Sequence, residues 1–331
     1  MEFLQFGQTD LKVSQLCLGT MALGSSAWKG WVLDEDDSIP ILRRALELGI
    51  NFFDMADWYS IGRNEEVVGR NLLRMSTRER LVLATKVYYP MSDDPDDRGL
   101  SRQHIAASID RSLARMGTDY VDLYVIHAFD VDTPVEETMA ALHDTVRAGK
   151  VRYLGASTMY AWQFAKMNHV AALNGWTRFV NMQCQYNLLY REEEREMFPY
   201  CRDQGIAVTT FSPLARGFLA RDAGTVRTAH DLYQEFYGDE IDREIARRVC
   251  ELAVRRGVSR AQVALAWVGG SSNHNIPIVG AAKTAHLDLA VEALGLRLDA
   301  AERDFLEAPY RPRDEISDQN PVRRPRALHP A

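Results

Sequence analysis

The sequence predicts an α/β fold, a (β/α)8 TIM barrel with an N-terminal β-hairpin and extra helices near the C-terminus. Three observations predict it. Short apolar runs alternate with longer amphipathic stretches eight times, from QLCLG at 15–19 to NIPIVG at 275–280. The runs are almost wholly apolar, which is how parallel strands covered on both faces read. The first run leads into LGTMALG, which lacks the G-x-G-x-x-G loop of an open dinucleotide-binding sheet. Eight units then favour closure over a doubly wound sheet. Barrels of about 200 to over 400 residues form one domain. The 331 residues are therefore read as one barrel domain over 1–310 and a tail over 311–331.

Taken in order, two apolar segments flank Gly7-Gln8-Thr9-Asp10 and predict a small hairpin over 1–14. Strand and helix then alternate: 15–19 with 36–48, 51–55 with 64–73, 81–86 with 101–116, 120–127 with 134–148, 151–157 with 161–174, and 179–183 with 192–203. The last two units are looser. Strand 206–212 is followed by a mixed segment, then helices over 240–256 and 260–268. Strand 275–280 is followed by helices over 284–294 and 300–307. Ser101, Thr133 before Pro134, and Ser259 mark helix starts, because their hydroxyls can accept from otherwise orphaned first-turn amides.

Composition is that of a globular chain, with 46% hydrophobic and 26% charged residues. A net charge of −7 argues against nucleic acid or an anionic membrane as partner. Basic residues do cluster from Arg311 to Arg326, offset by Asp314, Glu315 and Asp318, as in a solvated segment. Cys17, Cys184, Cys201 and Cys250 show no metal-binding spacing and read as reduced thiols. With no leader-like N-terminus and no membrane-length apolar run, the expected location is cytoplasmic.

In a parallel barrel the C-terminal strand ends share one face, and that face holds the active site. The ends here are Thr20, Asp54, Lys86, His127, Ser157 with Thr158, Gln183, Phe211 with Ser212, and Gly280. Tyr59 follows Asp54 in NFFDMADWYS. A phenol titrates near pH 10, so to act as a general acid near neutrality it needs a cation that lowers its pKa, and Lys86 can be that cation. A lysine in a dry barrel mouth tends to lose its proton, which a carboxylate such as Asp54 opposes. A neutral His127 can donate to a substrate carbonyl and orient it toward the phenol. Carbonyl reduction on this plan requires no metal.

Asp54, Tyr59, Lys86 and His127, in that order, resemble the catalytic tetrad of the aldo-keto reductase superfamily. The likeness extends through KVSQLCLGTM, the D-x-A-x-x-Y pattern, LGASTM, MQCQYNLL, FSPLARG and IPIVGAAK. Within the superfamily the chain looks similar to bacterial reductases related to the potassium-channel β-subunits. The resemblance implies NADPH bound without a Rossmann fold, hydride transfer to a carbonyl carbon and a proton from the tyrosine. It implies that Ser157 and Gln183 hold the carboxamide, that Thr20, Asp54 and Thr158 also bind the cofactor, and that Phe211 stacks on the nicotinamide ring. It implies Ser212, Leu214 and Arg216 at the pyrophosphate, and Gly280 and Lys283 at the adenosine 2′-phosphate, although Lys283 also reads as a solvated residue before a helix. Thr158 and Ala290 stand where the family commonly has Asn, and Ala128 where many members have Arg.

Trp28, Trp31, Trp58, Tyr88, Tyr89 and Phe129 lie on the loops beyond the strand ends. They suit an apolar or aromatic substrate, or a stacking sugar ring; packing of the loops themselves would use the same residues. Residues 215–239 could close over bound cofactor, with Gly217, Gly224 and Gly238 as hinges. The leading expectation is an NADPH-dependent reductase of a small aldehyde or ketone. The alternatives are an NADPH-binding regulatory subunit, and a pathway reductase acting on an activated C=C bond or a sugar intermediate. Oligomeric state is not legible in the sequence.

Overall fold

The first strands, β1 (Phe3–Gln5) and β2 (Lys12–Ser14), pair antiparallel, with Phe3 opposite Ser14. This is the expected hairpin. Phe6 and Val13 are fully buried and pack with Cys17, Phe52, Val82, Leu123 and Ile278, so the hairpin closes one end of the structure that follows. The structure, a computed structural model, describes residues 1–220, 237–271 and 275–314.

Eight parallel strands form a closed barrel: β3 (Cys17–Gly19), β4 (Phe52–Asp54), β5 (Val82–Val87), β6 (Val121–Ile126), β7 (Val151–Ser157), β8 (Phe179–Gln185), β9 (Ala207–Phe211) and β10 (Ile276–Gly280). β10 pairs with both β9 and β3, so the sheet has no edge. Between and after the strands run α1 (Glu35–Glu47), α2 (Arg63–Met75), α3 (Arg102–Met116), α4 (Val135–Arg147), α5 (Ala161–Leu173), α6 (Met197–Asp203), α7 (Glu240–Arg256), α8 (Arg260–Gly269), α9 (Thr284–Ala293) and α10 (Ala300–Glu307). The hydroxyls of Ser101 and Ser259 accept from His104 and Gln262 and cap α3 and α8. Thr133 is different: its hydroxyl donates to Asp130, and Pro134 is the residue that precedes α4.

Side chains alternate across each strand, which explains how both barrel faces are filled. Phe52, Val82, Ala84, Leu123, Val125, Ala207, Ile276 and Ile278 pack inside the barrel, while Phe53, Leu83, Tyr124, Ile126, Met182 and Val208 join the layer under the helices. Where β10 meets β3 the Ile278 side chain lies close against the Gly19 backbone. A Cβ on Gly19 would lie 2.7 Å from Cγ2 of Ile278, so only glycine fits. Asp54, Lys86 and Gln183 continue the inward rows at the C-terminal strand ends.

One expected helix is broken. The stretch over 192–203 splits into a 3-10 turn at Glu192–Glu194 and the short α6. Pro199 has no N–H to give the Arg195 carbonyl, and its ring collides with that carbonyl in a continuous helix. Pro199 is tolerated where it stands because it lies in the first turn of α6. Among the described residues no helix is long and apolar enough to cross a membrane. The expected closing segment at 215–239 is described only at its ends, and residues 221–236, with Gly224, lie outside the described residues, as do 315–331 of the tail.

Candidate active site

Asp54 pairs in register with Ala84 on the next strand, and Lys86 stands two residues further along the same inward row. Their side chains therefore meet diagonally. Lys86 Nζ donates to Asp54 Oδ2 at 2.7 Å, to the Met55 carbonyl at 2.9 Å and to Tyr59 Oη at 3.2 Å. An ammonium has three N–H donors, so all three are engaged. Because Lys86 donates to the phenol oxygen, the proton of Tyr59 has to point elsewhere. Gln183 donates from Nε2 to the other oxygen of Asp54 at 2.9 Å, tying β8 to β4 across the barrel. His127 follows β6, its N–H bonded to the Val87 carbonyl at 2.9 Å, and its ring stands edge-on to Tyr59 with centroids 5.8 Å apart. The four candidate residues thus form one buried cluster.

Their protonation follows from burial and neighbours. Burial pushes Lys86 down, but Asp54 and Tyr59 more than offset it and hold the ammonium above the ordinary lysine value. His127 is held well below the ordinary imidazole value by burial and by the Lys86 charge, so it is neutral. Its Nδ1 has no hydrogen-bond partner among the described residues. Tyr59 corrects an expectation. Lys86 does pull its pKa down, yet burial pulls harder upward, and the phenol sits above its ordinary value. The reason is that burial removes the phenolate from water on every side, whereas Lys86 meets it on one.

Tyr59 is delivered by a tight turn. Ser60 and Ile61 take left-handed φ of 51° and 47°, and Gly62 follows at 84°. Strained non-glycine residues of this kind persist only where their surroundings hold them. Here Ser60 Oγ accepts from the Ser25 N–H at 3.2 Å and the Gly62 N–H reaches the Asp57 carbonyl at 2.6 Å. Asn64, fully buried on α2, donates to the carbonyls of Thr20 and Leu23 at 2.8 and 2.7 Å. That bond fixes the loop after β3 to the tyrosine turn. Neither Asn64 nor Ser60 carried a sequence signal, since nothing local tells a helix-start Asn that turns inward from one that faces water. Asp57 is also fully buried. Burial and the nearby Glu65 carboxylate push it well above the carboxylate range, against the pull of Arg115.

The residues proposed from the resemblance for a cofactor fall around the same mouth. Thr20 is fully buried, its hydroxyl donating to the Asp54 carbonyl at 2.8 Å, so it supports the site from below. The hydroxyls of Ser157 and Thr158 lie 3.1 Å apart at the end of β7. Phe211 is half-buried at the end of β9. Thr158, Ser212, Ala215 and Arg216 hold left-handed φ of 48°, 55°, 46° and 54°. Turns of this kind, beside the half-buried Leu214, can turn backbone N–H groups toward an anion. The Arg216 charge is felt at Tyr59. Gly280 and Lys283 are exposed, with Lys283 at the start of α9, where the helix dipole favours a phosphate. Ala290 is buried with Leu16, Leu265 and Val279 and serves packing.

The aromatic residues separate into two groups. Tyr89 stands 4.8 Å from the His127 ring, Trp58 5.0 Å from Tyr89, and Trp28 5.2 Å from Trp58 and 6.5 Å from Trp31. With Tyr88, 5.2 Å from Tyr89, they form one wall. Phe129 is buried instead, against the exposed Trp162. Among the described residues no group of three or more His, Cys, Asp or Glu could hold a metal ion.

A closed parallel barrel with a buried tyrosine, lysine and aspartate in contact beside a neutral histidine defines a class of oxidoreductase. The aldo/keto reductase family model matches residues 15–309, and the chain belongs to that family. It is 42% identical to versiconal hemiacetal acetate reductase of Aspergillus parasiticus, over 95% of this chain and 98% of that one. It is 40% identical to an aldo-keto reductase of Alternaria alternata, over 93% and 92%, and 38% identical to a putative aryl-alcohol dehydrogenase of Saccharomyces cerevisiae, over 93% and 97%. These relatives are fungal, and they do not support the expected kinship with bacterial channel-β-subunit-like reductases.

Proposed function

We propose that residues 1–310 form an NADPH-dependent reductase that converts an aldehyde or ketone to an alcohol, with Tyr59 as proton donor. The observation that carries the proposal is the saturated Lys86 ammonium, which spends its third donor on Tyr59 Oη and leaves the phenolic proton for a substrate oxygen. The strand-end hydroxyls, the half-buried Phe211, the left-handed turn at Ser212–Arg216 and the exposed Lys283 fit a nicotinamide, a pyrophosphate and a 2′-phosphate in sequence. Bound there, NADPH would supply hydride. Ser157, Thr158 and Gln183 would hold its carboxamide, Phe211 would stack on its ring, and Arg216 and Lys283 would meet its phosphates.

The neutral imidazole of His127 would hydrogen-bond the carbonyl and aim it at Tyr59. Tyr59 would protonate the oxygen as negative charge develops there, and Lys86 would stabilise the phenolate left behind. Burial holds the phenol above its ordinary value and so works against proton release, and the Lys86 charge opposes that by favouring the phenolate. Asp54 acts through Lys86, keeping it cationic.

The aromatic wall beside His127, and a relative named for an aryl alcohol, support an aromatic carbonyl substrate. The test is NADPH oxidation against a panel of aromatic and aliphatic aldehydes, with wild type and Tyr59→Phe. Loss of a general acid lowers kcat by about 100- to 10,000-fold. Equal rates for the two proteins would overturn the assignment, and wild type consuming NADH as readily as NADPH would overturn the cofactor.

A further inference from the structure

Asn187, in the MQCQYNLL stretch, has no role in the proposed chemistry, yet it joins the loop after β8 to the turn after β9. It is fully buried. Residues 187–190 form a tight loop, closed by the Asn187 N–H to the Tyr190 carbonyl at 3.1 Å and the Tyr190 N–H to the Asn187 carbonyl at 3.0 Å. Within it Asn187 Oδ1 accepts from the Leu189 N–H at 2.9 Å, a side chain standing in for backbone two residues on. That bond fixes which end of the amide is which and aims its NH2 group away from the loop. Nδ2 then donates to the Ser212 carbonyl at 3.0 Å and to Tyr237 Oη at 3.2 Å. An amide has two N–H donors, so both are engaged.

The Ser212 carbonyl is held from two sides, because the Ala215 N–H also donates to it at 2.9 Å. The preceding carbonyl, that of Phe211, accepts from the Tyr186 N–H at 3.3 Å. Ser212 therefore sits between two pinned peptides at a left-handed φ of 55°, followed by Pro213, whose ring fixes its own φ. The Ser212 hydroxyl has no hydrogen-bond partner among the described residues. Tyr237 completes the support: Gln185 Nε2 donates to its phenol oxygen at 2.5 Å, and its ring stands 6.4 Å from that of Phe218, just beyond the turn. Position 187 needs both halves of an amide at one length. Aspartate would turn a lone pair on the Ser212 carbonyl, and the longer glutamine does not close the same turn on Leu189.

We propose that Asn187 is a positioning residue for the cofactor: by holding the Ser212 carbonyl it fixes the turn at Ser212–Arg216 in the form that receives a dinucleotide pyrophosphate. This rests on the NADPH-dependent reading for the ligand and on the Asn187 bonds for the positioning.

Calorimetric binding to the full-length protein tests it with three probes: NADPH, 2′-phospho-ADP-ribose, which keeps the pyrophosphate but lacks the nicotinamide, and 2′-AMP, which lacks the pyrophosphate. Asn187→Ser keeps a hydroxyl that can accept from the Leu189 N–H but is too short to reach Ser212, so the loop is retained and the long-range bond is lost. It weakens NADPH and 2′-phospho-ADP-ribose about tenfold each and leaves 2′-AMP unchanged. KM for NADPH rises by the same factor, while kcat at saturating NADPH does not fall, because Tyr59, Lys86 and His127 are untouched. Tyr237→Phe keeps the bond from Asn187 to Ser212 and weakens NADPH less than Asn187→Ser does.

NADPH bound as tightly by Asn187→Ser as by wild type overturns the inference alone. So does an equal loss of 2′-AMP affinity, or a Tyr237→Phe variant that reproduces the whole effect. Wild type that binds neither NADPH nor NADP+ overturns the reductase reading, and the inference with it.

Discussion

Asp54→Asn isolates the buried charge pair on which the proposed mechanism depends. The substitution keeps the volume and removes the charge. Asp54 accepts from Lys86 Nζ at 2.7 Å and from Gln183 Nε2 at 2.9 Å, with side chains 4% exposed for Asp54 and 0% for Lys86. An asparagine turns an NH2 group toward one of these two donors. Removing one partner of a buried pair costs about 3–5 kcal/mol. The cost is capped, because Lys86 can escape it by losing its proton. At about 1.4 kcal/mol per pKa unit, that range corresponds to a fall of about 2–4 units in the Lys86 pKa.

The sign follows from linkage. In wild type the folded lysine lies above its unfolded value of 10.5, so its contribution to stability is present below that pH and is lost as pH rises through the folded value. In Asp54→Asn burial is no longer offset and the folded value falls below 10.5. The unfolded chain then binds the proton more tightly, and the variant is least stable, relative to wild type, near neutrality. Urea unfolding across the pH range therefore shows a wide gap at neutral pH that narrows as pH rises. The alkaline limb of kcat/KM moves to lower pH in the variant. A gap that is constant with pH, together with an unmoved alkaline limb, would refute the reasoning.

Two further perturbations test neighbouring parts of the site. His127 is held well below 6.5 by burial and by Lys86, so the unfolded chain takes a proton that the folded one refuses. Stability is full above about pH 6.5 and falls as pH drops below it, and His127→Gln removes its share of that fall, read as a smaller acid-side loss in urea midpoint than wild type shows. Gly62→Ala places a Cβ at φ 84° and 2.7 Å from Cδ of Arg115, whose Nε donates to Glu65 at 2.6 Å. The left-handed conformation alone costs about 1–2 kcal/mol, and displacement of Arg115 adds to it; an unchanged urea midpoint would show that the turn can relax.

Much of this molecule is legible in its sequence. The barrel is, because near-continuous apolar strands alternating with amphipathic helices have few other ways to bury both faces. Asp54, Lys86 and His127 are, because a parallel barrel sends every C-terminal strand end to one face. The break before α6 lay in plain sight at Pro199, yet the helical pattern around it masked the missing N–H.

What the sequence determines by itself, then, is the order of the strands and the residue types at their ends. Tertiary structure decided the rest, for reasons of burial and distance that no local pattern encodes. Lys86 spends all three donors only because Met55 and Tyr59 fold back over it. Tyr59 sits above its ordinary pKa because its burial outweighs its cation. Asn64 and Ser60 secure the tyrosine turn through bonds to residues 35 to 44 positions away.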